Sequence, residues 1–311
     1  MNYRHIYHAG NFADLMKHLV LVALLKKLSE KDKPFTVLDA FAGIGIYDLS
    51  SEEAQKTKEY ENGIGMLSRY LESCHPRVSA SKLEDDGIAS INTISSYLST
   101  IHSLGLPDLY PGSPYIISQL LREHDELIAS ELHPQDYAQL KYNMSPEKNT
   151  AIHHMDGYNA IKAFLPPKNP KNLRGLVLLD AAFEVKNEYL KIIEALKLIK
   201  KRFAAGIVMI WCPIKDSKLV QEFYSTLKET GYPEFLKVEF EIGRHPREGG
   251  DPDNIELDSR LRGNDIENGM NKCGVIIANP PYIKDDIENL MRFLCYDIYH
   301  GKAKMNVHII K

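Results

Sequence analysis

Four acids in this chain close short apolar runs: Asp39 after Phe35-Thr36-Val37-Leu38, Glu131 after Leu127-Ile128-Ala129-Ser130, Asp156 in His154-Met155-Asp156-Gly157, and Asp180 after Leu176-Val177-Leu178-Leu179. If those runs are parallel strands, the carboxylates gather along the edge where open α/β sheets bind their ligands. One such acid is commonplace. Four in succession suit a ligand carrying an ammonium, a ribose and an adenine. S-adenosylmethionine meets that description better than a dinucleotide, because its amine and its sulfonium are both cationic. Asp39 leads into Ala40-Phe41-Ala42-Gly43-Ile44-Gly45, whose small residues let a ligand approach the backbone. The dinucleotide spacing itself is not met, since Asp48 stands where the third glycine would fall.

The elements that must position these acids follow from periodicity. Residues 12–30 read as an amphipathic helix, with Leu15, His18, Leu19, Val22 and Leu25 at helical spacing. A strand is expected over 35–39, then a helical stretch over 52–103 interrupted by polar residues around 79–87. The later half alternates: strands over 128–131, 150–155, 175–180, 205–211, 235–241, 273–278 and 307–310, and helices over 134–142, 158–164, 187–201, 217–230 and 285–294. Such alternation predicts an α/β protein with a mostly parallel sheet covered on both faces. We therefore expect a Rossmann-like domain formed by 1–51 and 109–311, with 52–108 as an inserted helical subdomain. Residues 243–272 are polar, turn-rich and nearly free of apolar side chains, so they are expected to be a mobile surface insertion. Their arginines are nearly cancelled by interleaved acids, which argues against an RNA-binding arm.

Composition narrows the classes further. The chain has 311 residues, a net charge of -4 and no apolar run long enough to span a bilayer. Cys74, Cys212, Cys273 and Cys295 are scattered without metal-ligand spacing, which suggests reduced thiols and a cytoplasmic setting. A polyanion partner, if present, must be met by a local positive field. His5 and His8 lie three apart with His18 downstream, but no Cys or acid completes a metal site, so they are read as positioning the N-terminal segment. Lys197, Lys200, Lys201 and Arg202 complement a helix end. Lys168, Lys171 and Arg174 precede the Asp180 strand at its amino end, and Trp211 is read as core.

Longer strings carry a resemblance. Tyr3-Arg4-His5 is followed by His8-Ala9-Gly10-Asn11-Phe12-Ala13-Asp14 and by Lys17-His18; later come Pro111-Gly112-Ser113-Pro114, Glu131-Leu132-His133-Pro134 with Asp136-Tyr137, and Asp156-Gly157. In these, nearly end to end apart from 243–272, the chain resembles the RlmJ-type methyltransferases, which methylate N6 of one adenine in 23S ribosomal RNA. The resemblance implies a Rossmann-like S-adenosylmethionine-dependent methyltransferase fold with a mostly parallel seven-stranded sheet, acting as a cytoplasmic monomer without a metal. It places Lys17, His18, Ser113, Glu131, Asp156, Gly157 and Asp180 on cofactor-binding positions, and Phe41 where the family often has a cofactor-contacting His. Tyr3 falls on an RNA-contacting position and Asp180 on the catalytic one. The family's catalytic loop reads Asp-Pro-Pro-Tyr, whereas this chain has Asp180-Ala181-Ala182-Phe183.

That difference bears directly on the chemistry. An adenine exocyclic amine is a poor nucleophile because its lone pair is delocalised into the ring. A carboxylate and a backbone carbonyl that accept from its two N–H groups push the nitrogen towards a tetrahedral geometry, and positioning does most of the rest. Prolines fix the direction of the carbonyl, and an aromatic ring stacks on the extruded base. Asp180 keeps the carboxylate and Phe183 the stacking face, while Ala181 keeps a carbonyl that prolines no longer aim. A catalytically silent RNA-binding or assembly protein is therefore the second reading. A third is a DNA adenine methyltransferase using Asn279-Pro280-Pro281-Tyr282, although that string also suits a strand end closed by proline.

Overall fold

The computed structural model describes residues 4–73, 88–105, 108–169, 173–183, 187–243 and 270–311. The expectation for 243–272 falls almost wholly outside them, as does that for Tyr3. Among the described residues the strands are β1 (Thr36–Asp39), β2 (Ile46–Asp48), β3 (Leu109–Pro111), β4 (Glu126–Glu131), β5 (Thr150–His154), β6 (Gly175–Leu179), β7 (Ile207–Pro213), β8 (Phe235–Ile242), β9 (Lys272–Ala278) and β10 (Ala303–Ile310). Eight of them form one sheet in the order β10-β8-β9-β7-β6-β1-β4-β5. Pairing is parallel from β5 through β4, β1 and β6 to β7. It turns antiparallel at β9, β8 and β10. The sheet thus has one strand more than the seven implied by resemblance, and its edge strand β10 is longer than the 307–310 run predicts. Asp39 is paired with Leu178 on one side and Ala129 on the other, which sets β1 in the middle of the parallel half.

The helices are α1 (Phe12–Ser29), α2 (Glu52–Thr57), α3 (Ile64–Ser73), α4 (Ile88–Ser103), α5 (Ser113–Leu120), α6 (Pro134–Asn143), α7 (Gly157–Phe164), α8 (Glu188–Arg202), α9 (Ser217–Thr226) and α10 (Lys284–Phe293). On one face of the sheet α7, α8 and α9 bury Ile161, Ile192, Leu196, Val220 and Phe223 against β1, β6 and β7. On the other lies α1, with α4, α5 and α10 packed over it. This corrects the amphipathic reading of α1: every residue from Phe12 to Leu25 is buried, because the helix is covered on both sides. A helix so enclosed must satisfy each polar side chain internally. Asn11 caps it by accepting from the amides of Ala13 and Asp14, which leaves Asp14, Lys17 and His18 as polar groups inside the layer.

The 52–108 segment departs and returns through β2 and β3, an antiparallel pair with Ile46 opposite Pro111. Its helices do not stand apart from the main core. Ala54, Ile64, Leu67 and Tyr97 belong to the same cluster as the apolar face of α1. Neither this ribbon nor α5 was legible as periodicity, since three-residue strands and an eight-residue helix give too few repeats to register.

Candidate active site

The parallel strands deliver their carboxyl ends to a common rim. Asp39 and Glu131 are the last residues of β1 and β4, and Asp180 directly follows β6. The rim's centre is an ion-pair chain rooted in α1. Lys17 Nζ lies 2.6 Å from Asp180 Oδ2 and 2.7 Å from Asp14 Oδ1. Asp14 Oδ2 in turn meets His5 Nε2 at 2.9 Å and accepts from the Gly10 amide at 2.9 Å. The Lys17 side chain is 4% exposed and that of Asp180 16%, so the lysine is sealed while the carboxylate reaches the surface. Burial works against a charged Lys17, but Asp14 and Asp180 hold its pKa well above the usual lysine range. Burial likewise opposes an ionised Asp14, yet His5 and Lys17 keep it well below the ordinary carboxylate value.

Asp39 contrasts with both. It is fully buried, and only Oδ2 is served, by the Ser113 hydroxyl at 2.7 Å; Oδ1 has no hydrogen-bond partner. Burial pushes its pKa up to about 7, with the charge on Asp180 acting in the same direction and Ser113 opposing it. Ser113 thus reaches the rim from the first turn of α5.

Glu131 fixes the loop after β1. Its Oε2 accepts from the Gly43 amide at 3.0 Å and its Oε1 from the His133 amide at 2.7 Å. Gly43 and Gly45 have φ of 62° and 80°, values open to glycine at no steric cost. Burial lifts the Glu131 carboxyl above its ordinary value, against the pull of those amides. Asp156 caps α7 by accepting from the Asn159 amide at 3.0 Å. At Gly157 a β-carbon would run into the Ala40 carbonyl and the Phe41 ring, so glycine is what lets α7 sit against the exit of β1. Phe41 itself meets the Tyr158 ring edge-on at 5.3 Å.

Beyond Asp180, Phe183 takes a left-handed backbone conformation with φ of 53°. Its ring lies 4.9 Å from that of Tyr189 and 5.9 Å from that of Trp211. Trp211, read as core, is only half-buried and forms part of this aromatic wall. Tyr189 was not singled out by sequence, and Asp14 appeared only as part of the N-terminal string, with no role assigned to it. Neither role has a local signal, because one residue is aligned by β7 and α8 and the other by the burial of α1. His18 sits apart from the carboxylates in its bonding: Nδ1 is 2.8 Å from the Tyr110 hydroxyl, which is 3.1 Å from that of Tyr97. Burial drops its pKa to about 3, so the ring is neutral.

Other candidates lie elsewhere. Asn279 follows β9, whose Ala278 pairs antiparallel with Val208 near the start of β7, and Asn279 Nδ2 donates to the Gly206 carbonyl at 3.3 Å. The Asn279-Pro280-Pro281-Tyr282 string therefore occupies the amino edge of the parallel strands, opposite Asp180. Arg174 is engaged by backbone, donating to the carbonyls of Lys33 and Leu28 at 2.8 Å each. Lys200 stacks over Tyr232, and Lys197 pairs with Glu229. Among the described residues no group of His, Cys, Asp and Glu could hold a metal ion, and no helix is long and apolar enough to cross a membrane.

Residues 32–310 match the family model described as ribosomal RNA large subunit methyltransferase D, RlmJ. The chain is 34% identical over 299 residues to ribosomal RNA large subunit methyltransferase J of Haemophilus influenzae, covering 94% of this chain and 92% of that protein. It belongs to the RlmJ family. The Escherichia coli protein of the same name is 33% identical over 295 residues, with the same coverage of 94% and 92%. The crystal structure of LPL1258 from Legionella pneumophila superimposes with a TM-score of 0.77 at 29% identity, covering 97% of this chain and 98% of that one. The Asp180-Ala181-Ala182-Phe183 segment is now localised. It begins at the rim carboxylate, with Ala181 2% exposed and Phe183 turned into the aromatic wall.

Proposed function

We propose that this chain transfers the methyl group of S-adenosylmethionine to N6 of an adenine in large-subunit ribosomal RNA. The observation that carries the reading is Asp180: a carboxylate at the carboxyl rim, 2.6 Å from a sealed lysine and beside an aromatic wall. Such a group accepts a hydrogen bond from an amine N–H, and Lys17 fixes its direction. Phe183 offers a face for the base, with Tyr189 and Trp211 backing it. These are positioning and electrostatic contributions, which suit an amine that needs orientation more than a strong base.

The residues of the rim fit the donor. Asp39 keeps a buried carboxylate oxygen without a partner, an arrangement that costs free energy unless a proton or a cation joins it. Glu131 and Asp156 add acids at the ends of the neighbouring strands, beside the glycines of the Gly43 loop. S-adenosylmethionine, when bound, supplies a methyl group made electrophilic by its sulfonium. Ser113 and Phe41 border the same rim. His18, engaged with Tyr110, supports the donor site through the packing of α1 against β3 rather than through a charge. Monomeric, cytoplasmic action on free or assembling RNA, with Tyr3 touching the RNA, completes the reading.

The test is transfer of labelled methyl from S-adenosylmethionine to protein-free large-subunit rRNA that lacks the modification. Incorporation at adenine N6 that disappears in Asp180→Ala supports the assignment, and incorporation unchanged in that variant removes Asp180 from the role. A second reading, a silent RNA-binding protein, rests on the loop after Asp180, which has Ala181-Ala182 where the resemblance implies two prolines. Cofactor binding without any transfer would establish it. The DNA-methyltransferase reading has no such support, because Asn279 lies on the opposite edge of the sheet.

A further inference from the structure

We propose that Asp14 is a positioning residue for the transfer reaction, dividing the charge of Lys17 with Asp180 while it anchors the segment 4–11. The proposal rests on the reading of Asp180 given above. Acids in the first turn of a helix are usually solvent-facing partners of its dipole. Asp14 is instead 2% exposed and uses both oxygens inside the protein. Oδ1 takes Lys17 at 2.7 Å; Oδ2 takes the Gly10 amide and His5 Nε2, each at 2.9 Å. A buried carboxylate with partners on both oxygens is locked in direction, and it locks the lysine that faces Asp180.

Charge counting gives the consequence. One lysine stands between two carboxylates, with His18 neutral nearby. His5 meets the other oxygen of Asp14, so Lys17 is shared between the two carboxylates, and the only member of the triad open to the rim is Asp180. With Asp14 neutral, Lys17 would pair with Asp180 alone, neutralise it and free itself to follow it. Asp180 would then be both a weaker acceptor and a less fixed one. The other oxygen of Asp14 has a separate effect. Through Gly10 and His5 it orders the backbone ahead of α1, so the same carboxylate ties the N-terminal segment to the reacting centre. A merely structural acid would lack the first of these consequences.

The experiment compares wild type, Asp14→Asn, Asp14→Glu, Lys17→Met and the Asp14→Asn/Lys17→Met double variant. Single-turnover methyl transfer at saturating cofactor is measured beside cofactor affinity by calorimetry and amide exchange over residues 4–11. We expect Asp14→Asn to slow transfer roughly tenfold to a hundredfold, the scale of a small misplacement at a reacting centre, with cofactor affinity unchanged and exchange over 4–11 faster. Asp14→Glu, which keeps the charge, should recover part of the rate. The double variant should be no slower than Lys17→Met, because Asp14 acts through that lysine. Full rate in Asp14→Asn, losses that multiply in the double variant, or loss of rate and affinity in step would each overturn the proposal. Failure of both Asp14 variants to fold would assign the residue to the scaffold and overturn it too. Absence of transfer in wild type would sink the functional reading instead, and the exchange measurement would then decide: unchanged exchange over 4–11 in Asp14→Asn rejects the anchoring role.

Discussion

At the scale of single residues, the proposed chemistry turns on how Asp14, Asp39 and Asp180 are compensated. Asp14 and Asp180 share a lysine, whereas Asp39 has a serine and no cation. The difference predicts a pH signature. Asp39 titrates near 3.8 when exposed and at about 7 in the folded protein. Between those values the folded protein holds a proton that the unfolded chain has released. The stability it contributes is complete below the lower value and lost as pH rises through the upper one. The full difference is on the order of 4 kcal/mol. Asp39→Asn, which keeps an acceptor for Ser113, should flatten the fall in melting temperature between pH 5 and 8 and weaken S-adenosylmethionine binding at pH 8. Calorimetry that finds the same fall in the variant would refute the burial argument. At Gly157 the prediction is steric: Gly157→Ala forces a β-carbon into the Ala40 carbonyl and Phe41, and should cost about 1–3 kcal/mol in denaturant unfolding, with cofactor affinity lowered as the β1 exit shifts. An unperturbed variant would show that α7 can move away freely.

At the scale of elements, the proposed transfer depends on the loop that leaves β6. Asp180 is held by α1, and Phe183 by the aromatic wall of β7 and α8, so both ends of the motif are fixed while Ala181 and Ala182 are free of the proline constraint. Ala181→Pro with Ala182→Pro should raise the transfer rate, because proline removes backbone freedom between two anchored points. A rate that stays flat or falls, with cofactor affinity intact, would mean that Ala181 is already aimed by its burial. Much of this level was legible in advance. Strands β1, β4, β5, β6 and β7 were marked by apolar runs, and three of the four strand-end acids by their position after them. Asp156 was legible as a residue but serves also as the cap of α7, a dual use that spacing alone does not separate. The all-round burial of α1 was not legible, because a helix sandwiched between two layers has no polar face to announce itself and its Asp14 and Lys17 mimic one. The pairing of Lys17 with Asp180, 163 residues apart, is a product of the fold with no local sequence signal.

At the scale of the whole molecule, the sheet separates the two strings that compete for the role of catalytic loop. Asp180-Ala181-Ala182-Phe183 leaves the carboxyl rim, and Asn279-Pro280-Pro281-Tyr282 leaves an antiparallel strand at the amino edge. Asn279→Ala should leave methyl transfer within about twofold of wild type and change only stability, by the ~1 kcal/mol of a lost hydrogen bond to backbone. Abolished transfer in that variant would move the reacting centre to the other edge. The net charge of -4 likewise limits how RNA is held: few phosphates can be neutralised, so the affinity for rRNA should fall only shallowly with salt. A steep dependence in filter binding would mean that a local basic surface, and not the net charge, governs the contact. The central claim is that the carboxylate after β6 orients the target amine. Transfer of labelled methyl to unmodified large-subunit rRNA, compared between wild type and Asp180→Asn at equal cofactor occupancy, tests it most directly. The account predicts incorporation at adenine N6 by wild type and at least a hundredfold loss in the variant, the scale of losing a charged partner in the transition state; equal incorporation by both would contradict it.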